Sequence, residues 1–390
     1  MTQLFEKYFN EIKQLLTFEN YSLLVKRVID LTLDTEDTSQ YKETVEFLNW
    51  LDKNEKKTDE VRTRFGTILD NLYNRLKNKP LTSEQTAKVL ISVENMTKGY
   101  ENSAFLLGPI SFDIKEKQII GLVGENGNGK TTLLRTLCRE LQPTKGHINY
   151  KFDYEDGYNL RSHLAYIPQR TKSCKGLIRT NLQFAAASYG VKAEENELLV
   201  ELVMTRMGLR KFRDYNWSNL SSGYKMRFEL ARVLLRKPKI LLIDEPLANL
   251  DILAQQIVLD DFKDIAHSPF RPLGIILSSQ QLYEVEKTSD QVIFLKNGKP
   301  RNLVTESKET VKEEVLPFIV EFESDWSQER LHEVFTPLGI ERLHINGGTY
   351  IANFPAETTQ NDFLKVILQN NIPVVYFRNI SNSTRRFFLS

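Results

Sequence analysis

Apolar residues recur at helical spacing through the first eighty or so positions of the chain. Phe5, Phe9, Ile12 and Leu16 make one stripe; Leu24, Val28 and Leu31, and then Tyr41, Val45 and Leu48, repeat it. Val61, Phe65, Ile68, Leu72 and Leu76 form the longest stripe, which Lys79-Pro80 ends. Each stretch predicts an amphipathic helix with one face in need of a partner, so residues 1–88 are expected to form a separate all-α helical bundle. The lysine- and acid-rich run from Asp52 to Glu60 reads as a solvated loop.

The pattern then changes period. Gln118 to Val123, Lys239 to Ile243 and Leu273 to Ser279 are short apolar runs without polar alternation. Such runs suit strands of a parallel sheet covered on both faces. From about Val315 short elements alternate: a strand over 317–322, a helix over 327–335, strands over 340–345 and 349–354 turned at Asn346-Gly347, a helix holding Phe363, Val366 and Ile367, and a strand at Val374 to Phe377. The order is βαββαβ, which predicts an α+β ferredoxin-like domain over 315–390.

Glycines and carboxylates at the ends of the apolar runs add chemistry. Gly124-Glu125-Asn126-Gly127-Asn128-Gly129-Lys130-Thr131 reads G-x-x-x-x-G-K-T directly after one predicted strand. In such a loop backbone N–H groups cradle phosphates, Lys130 reaches the β/γ oxygens, and the Thr131 hydroxyl serves Mg²⁺. Thr132 lies in the first turn of the helix that follows, whose N-terminal dipole adds to the anion site. Downstream, the strand Lys239 to Ile243 ends in Asp244 and Glu245. Asp244 is placed to hold Mg²⁺, and Glu245 is the candidate base for an attacking water.

Between these lies Leu220-Ser221-Ser222-Gly223-Tyr224, followed by a helix-forming stretch. The segment resembles the L-S-G-G-Q signature of ATP-binding cassette (ABC) ATPases, and other marks of that family follow its chain order over about residues 92–302. The resemblance implies that Tyr100 stacks on adenine, that Gln169 is the glutamine near Mg²⁺ and the water, and that Ala248-Asn249-Leu250-Asp251 is the D-loop crossing a dimer interface. It also implies that Ser221, Ser222, Gly223 and Asp251 complete the nucleotide site of a second copy. The expected nucleotide contacts are then Tyr100, Gly124 to Thr132, Ser221 to Gly223 and Asp251; the metal positions are Thr131, Gln169 and Asp244.

Two segments depart from the family pattern, the signature and the switch. Ser222 and Tyr224 stand where glycine and glutamine are usual. At the switch position the chain reads Gln280-Gln281, with no histidine. A glutamine amide donates a hydrogen bond but carries no titratable proton, so Gln280 joins Glu245, Gln169 and Lys130 as a catalytic candidate while slow hydrolysis is expected.

Composition restricts what surrounds this site. At 390 residues, 41% hydrophobic and 26% charged, the chain has room for two or three domains. A net charge of +1 argues against selection for bulk nucleic-acid binding. The two cysteines, Cys138 and Cys174, have neither metal nor disulfide spacing and fit a reduced cytoplasm. No run approaches the roughly 18 apolar residues that span a bilayer, and the N-terminus lacks a signal-peptide pattern, so any membrane role is expected to be peripheral.

The resemblance extends, through the C-terminal domain, to exporter-type members of the family. It implies an α/β P-loop ABC domain over 89–304 with a helical subdomain at about 170–219, an ATP- and Mg²⁺-dependent ATPase, a homo- or heterodimer of such subunits, and a separate membrane permease on the inner face of the cell membrane. The alternative is a soluble ABC ATPase acting as a slow ATP-dependent dimerisation switch.

Overall fold

The computed structural model describes residues 2–54, 58–83, 86–101, 104–280, 282–302, 317–346 and 348–381. Gln281, Gly347 of the predicted turn and most of the closing Ile380 to Leu389 segment lie outside the described residues, as does the stretch 303–316.

Four helices open the chain: α1 (Thr2–Thr17), α2 (Tyr21–Thr35), α3 (Thr38–Asn54) and α4 (Thr58–Leu76). Their predicted stripes are largely buried, from Phe5, Phe9 and Ile12 through Leu24 and Val28 to Phe65, Ile68 and Leu72, while Leu16 is half-buried. In α3 the buried side is rotated from the expected one. Val45 is only half-buried, whereas Thr44 and Phe47 are enclosed. Thr44 Oγ1 shares a 2.9 Å hydrogen bond with Thr32 Oγ1 of α2, which lets a polar residue occupy the interface.

The strands that follow are β1 (Val89–Gly99), β2 (Leu106–Lys115), β3 (Ile119–Val123), then α5 (Lys130–Leu137), β4 (Lys145–Tyr150), α6 (Gly157–His163) and β5 (Leu164–Ile167). A helical stretch comprises α7 (Ile178–Ser188), α8 (Ala193–Arg206) and α9 (Ser222–Leu234). The chain then returns to β6 (Ile240–Ile243), α10 (Ile252–Ala266), β7 (Gly274–Ser279), α11 (Leu282–Thr288), β8 (Gln291–Lys296) and β9 (Lys299–Asn302). Two sheets result, an antiparallel one of order β2-β1-β4 and one of order β5-β6-β7-β3-β8-β9. Strands β5, β6, β7 and β3 pair in parallel. Every residue of β3, β6 and β7 is buried, as expected of largely apolar strands covered on both faces, and β7 closes on two buried serines.

The described chain divides into two compact units, one of residues 1–280, 288–290 and 295–300, the other of residues 281–287, 291–294 and 301–390. The N-terminal helices, expected as a separate unit, therefore belong to the same unit as the parallel sheet. Ion pairs explain the join: Arg206 of α8 meets Asp30 of α2 at 2.8 Å, Arg27 meets Asp264 of α10 at 2.7 Å, and Arg271 meets buried Asp34 at 2.5 Å. Charged positions on the polar side of a helical stripe are normally solvated, which is why the sequence pattern hides this contact.

The second unit holds β10 (Phe318–Ser324), α12 (Gln328–Phe335), β11 (Arg342–Asn346), β12 (Thr349–Phe354), α13 (Gln360–Gln369) and β13 (Val374–Asn379), in the expected element order. Its sheet is antiparallel with order β11-β12-β10-β13. Phe318, Phe322, Phe335, Phe354 and Phe363 form an aromatic core beneath it, each ring contributing about 1.5–3 kcal/mol through burial. Ser327 caps α12 and Thr359 caps α13, the latter in a capping box with Asp362.

Candidate functional site

Three strand ends build the site. β3 runs into the glycine-rich loop, β6 into Asp244-Glu245, and β7 ends beside them. The loop geometry demands glycine at two places. At Gly124 a Cβ would lie 2.5 Å from the Leu295 carbonyl oxygen, and Gly129, at φ +96°, would drive one to 2.9 Å from Leu107 and Phe105. Gly129 is also the N-cap of α5, so the helix starts where the loop's N–H groups turn inward. Asn128 is buried, and its Oδ1 accepts the Asn297 N–H at 2.7 Å, which pins the loop from the side.

Lys130, the first residue of α5, is enclosed. Its Nζ donates to the carbonyls of Gly124 at 2.5 Å and Glu125 at 3.3 Å and lies 3.1 Å from Glu245 Oε1. Thr131 Oγ1 donates to Asp244 Oδ2 at 2.6 Å. Two hard oxygens of a hydroxyl and a carboxylate thus face one another, the donor type a magnesium ion takes alongside phosphate oxygens. Glu125, Asn126 and Gly127 are exposed along the loop.

Sequence reasoning missed Ser278. Its buried hydroxyl donates to Asp244 Oδ1 at 2.6 Å and accepts the Glu245 N–H at 2.9 Å. One atom therefore orients both carboxylate residues. Glu245 leaves the strand at φ +49°, a left-handed conformation uncommon for a side chain of this size, and the Ser278 bond holds its backbone there. The available signal was the serine pair Ser278-Ser279 closing a strand that is aliphatic up to Leu277.

The remaining expected positions fall in two groups. Tyr100 stands half-open after β1, its hydroxyl 3.1 Å from Thr132 Oγ1 and the Lys98 ammonium 5.5 Å from its ring centre. Gln169 and Gln280 are exposed at the ends of β5 and β7. Ser221 caps α9 and Asp251 caps α10, where its Oδ1 accepts the Ala254 N–H at 2.9 Å. Ser222 Oγ donates to the Asn249 carbonyl at 2.8 Å, so the two turns are joined to each other. Among the described residues no hydrogen bond or ion pair joins Ser221, Ser222 or Gly223 to the phosphate loop.

A parallel sheet with a phosphate loop at the end of β3 and an Asp-Glu pair at the end of β6, with β7 between them, defines a P-loop ATPase. The family model described as ABC transporter matches residues 107–248. The chain is 30% identical over 215 residues to the ABC-type transporter ATP-binding protein EcsA of Bacillus subtilis, a match covering 54% of this chain and 85% of that one. It is 29% identical over 230 residues to the phosphonates import ATP-binding protein PhnC of Treponema denticola, covering 54% and 88%. The fold is similar to that of cbiO1 from Clostridium perfringens, described as part of the ABC transporter complex cbiONQ, at 24% identity and TM-score 0.51, covering 55% of this chain and 87% of that one. The chain belongs to the ABC transporter ATP-binding proteins and is an ATPase of that family. Helices α1–α4 and the second unit lie outside the segment the family model matches.

Proposed function

We propose that this chain is the ATP-hydrolysing subunit of an ABC exporter, dimerising on ATP to drive a separate membrane permease. The observation that carries the reading is the convergence of Lys130, Thr131, Asp244, Glu245 and Ser278 through bonds of 2.6–3.1 Å at three adjacent strand ends. In this reading Gly124 to Thr132 hold the triphosphate and Tyr100 stacks on adenine. Thr131, Asp244 and Gln169 would hold Mg²⁺, which when bound neutralises charge on the β/γ oxygens. Lys130 exchanges its Glu245 contact for phosphate, and Glu245, freed from the lysine, orients the attacking water. Gln280 donates toward the γ-phosphate. Ser221, Ser222, Gly223 and Asp251 complete the site of a second copy, and catalysis is positioning and electrostatics throughout.

We read residues 1–88 as a helical bundle, 89–304 as the ABC domain with its helical subdomain at about 170–219, and 315–390 as a ferredoxin-like domain. The antiparallel order β13-β10-β12-β11 supports the last assignment and, with it, the exporter reading. No helix among the described residues is long and apolar enough to cross a membrane; the subunit is assigned to the cytoplasmic face, held there by its permease. The exposed Gln280 supports the second reading, a soluble ABC protein using ATP as a slow dimerisation switch.

The ATP-binding mode is tested with Glu245→Gln. It keeps every phosphate contact but loses the base, so sedimentation with MgATP should show a stable dimer that is absent without nucleotide. A variant that binds MgATP yet sediments only as a monomer overturns the composite site.

A further inference from the structure

The densest buried charge in the first unit lies outside the nucleotide site, around Asp261 of α10. Its side chain is fully enclosed. Oδ1 accepts from Lys26 Nζ of α2 at 2.9 Å and from Arg206 Nη1 of α8 at 3.0 Å. Oδ2 has no hydrogen-bond partner and faces Arg227 Nε of α9 at 3.7 Å. Asp30 and Asp264 close the cluster, each paired to both Arg206 and Arg27. Burial by itself would lower the Arg206 pKa, but Asp30 and Asp261 outweigh it and hold the guanidinium charged. Four helices thus meet at one carboxylate, and one of the four belongs to the N-terminal segment.

Two of these helices begin at functional turns. α9 starts at Ser221, and Arg227 follows within two helical turns, about 9 Å along the axis. α10 starts at Asp251, with Asp261 about 15 Å further along. Their N-terminal ends are tied by the 2.8 Å bond from Ser222 Oγ to the Asn249 carbonyl, which a glycine at 222 would not supply. Towards their rear they are joined by an ion pair through Asp261, and there the contact to Arg227 is long. Two helices fastened at both ends have a fixed crossing angle; fastened at one end, they can pivot. Lys26 neutralises the carboxylate that forms the rear fastening, and an enclosed carboxylate stripped of one partner reorganises its surroundings.

We propose that α2 is a positioning element of the ATPase: Lys26, acting through Asp261, fixes α9 against α10 so that Ser221 to Gly223 and Asp251 meet the nucleotide of a second copy in register. The inference rests on the composite-site reading above. It gives the N-terminal helices, which the family model does not match, a role in turnover.

The test compares Lys26→Met, which keeps the stem and removes the charge, with Lys26→Arg, which restores a donor. Lys26 is partly exposed and Arg206 still pairs with Asp261, so both variants are expected to fold, Lys26→Met melting a few degrees below the wild type and Lys26→Arg near it. In steady-state MgATP hydrolysis, Lys26→Met should lower kcat about tenfold, within the penalty for a displacement near 1 Å. Its KM should stay within about twofold, because the phosphate loop is untouched, and Lys26→Arg should recover most of the loss. Backbone hydrogen exchange should quicken over residues 222–228 and stay unchanged over 130–137. Unchanged kcat in Lys26→Met overturns the proposal. If exchange has quickened in that case, the composite-site reading is at fault; if it has not, the clamp itself is. A kcat loss that Lys26→Arg does not recover, or one accompanied by a general rise in exchange, also overturns it.

Discussion

Ser278→Ala isolates the atom that couples the two acidic residues of the site. The hydroxyl is fully buried and makes two bonds, to Asp244 Oδ1 at 2.6 Å and from the Glu245 N–H at 2.9 Å. A hydrogen bond to an ionised acceptor contributes about 1.5–3 kcal/mol, and a buried N–H left unpaired costs about 1–3 kcal/mol. Both losses come from deleting one atom, so they do not add in full, and the expected loss of stability is about 3 kcal/mol. For a unit of this size that corresponds to a fall in Tm of about 6 °C. The functional effect has a separate origin. Glu245 is held at φ +49° by the bond that is lost, and a base displaced by a fraction of an ångström costs about tenfold in turnover. Differential scanning fluorimetry reads the first effect, and phosphate release at saturating MgATP the second. A variant melting within 1 °C of wild type and turning over within twofold would refute the view that Ser278 orients the pair.

Gln280→His should raise turnover by roughly tenfold with little change in ATP affinity, since one preorganised donor near the γ-phosphate is worth about 10²–10³-fold; phosphate release checks this, and equal rates for Gln280→Ala, Gln280→His and wild type would remove Gln280 from the site. For the transport reading, a tagged chain extracted from membranes in mild detergent should co-purify with a multi-span protein lacking its own ATPase domain. Recovery only from the soluble fraction, as a free dimer with MgATP, would favour the switch.

Much of this protein is determined by sequence alone, because the relevant physics is local. A phosphate loop is a run of consecutive backbone groups, so Gly124 to Thr131 announce it without any tertiary information. An apolar strand ending in Asp244-Glu245 is equally self-contained, and the stripes of α1 and α4 and the βαββαβ order follow from periodicity. Tertiary structure decided whatever depends on residues far apart in sequence. Ser278 is an ordinary strand serine until β7 is set beside β6 and its hydroxyl meets Asp244 and the Glu245 N–H. Lys26 and Asp261, 235 residues apart, read as solvated charges on separate helices until the fold encloses them around one contact. The rotation of α3 that buries Thr44 depends likewise on a hydroxyl partner in α2. Periodicity reports which face of an element is apolar, but a polar group enters the interior only where another element supplies its partner, and that pairing exists only once the chain has folded.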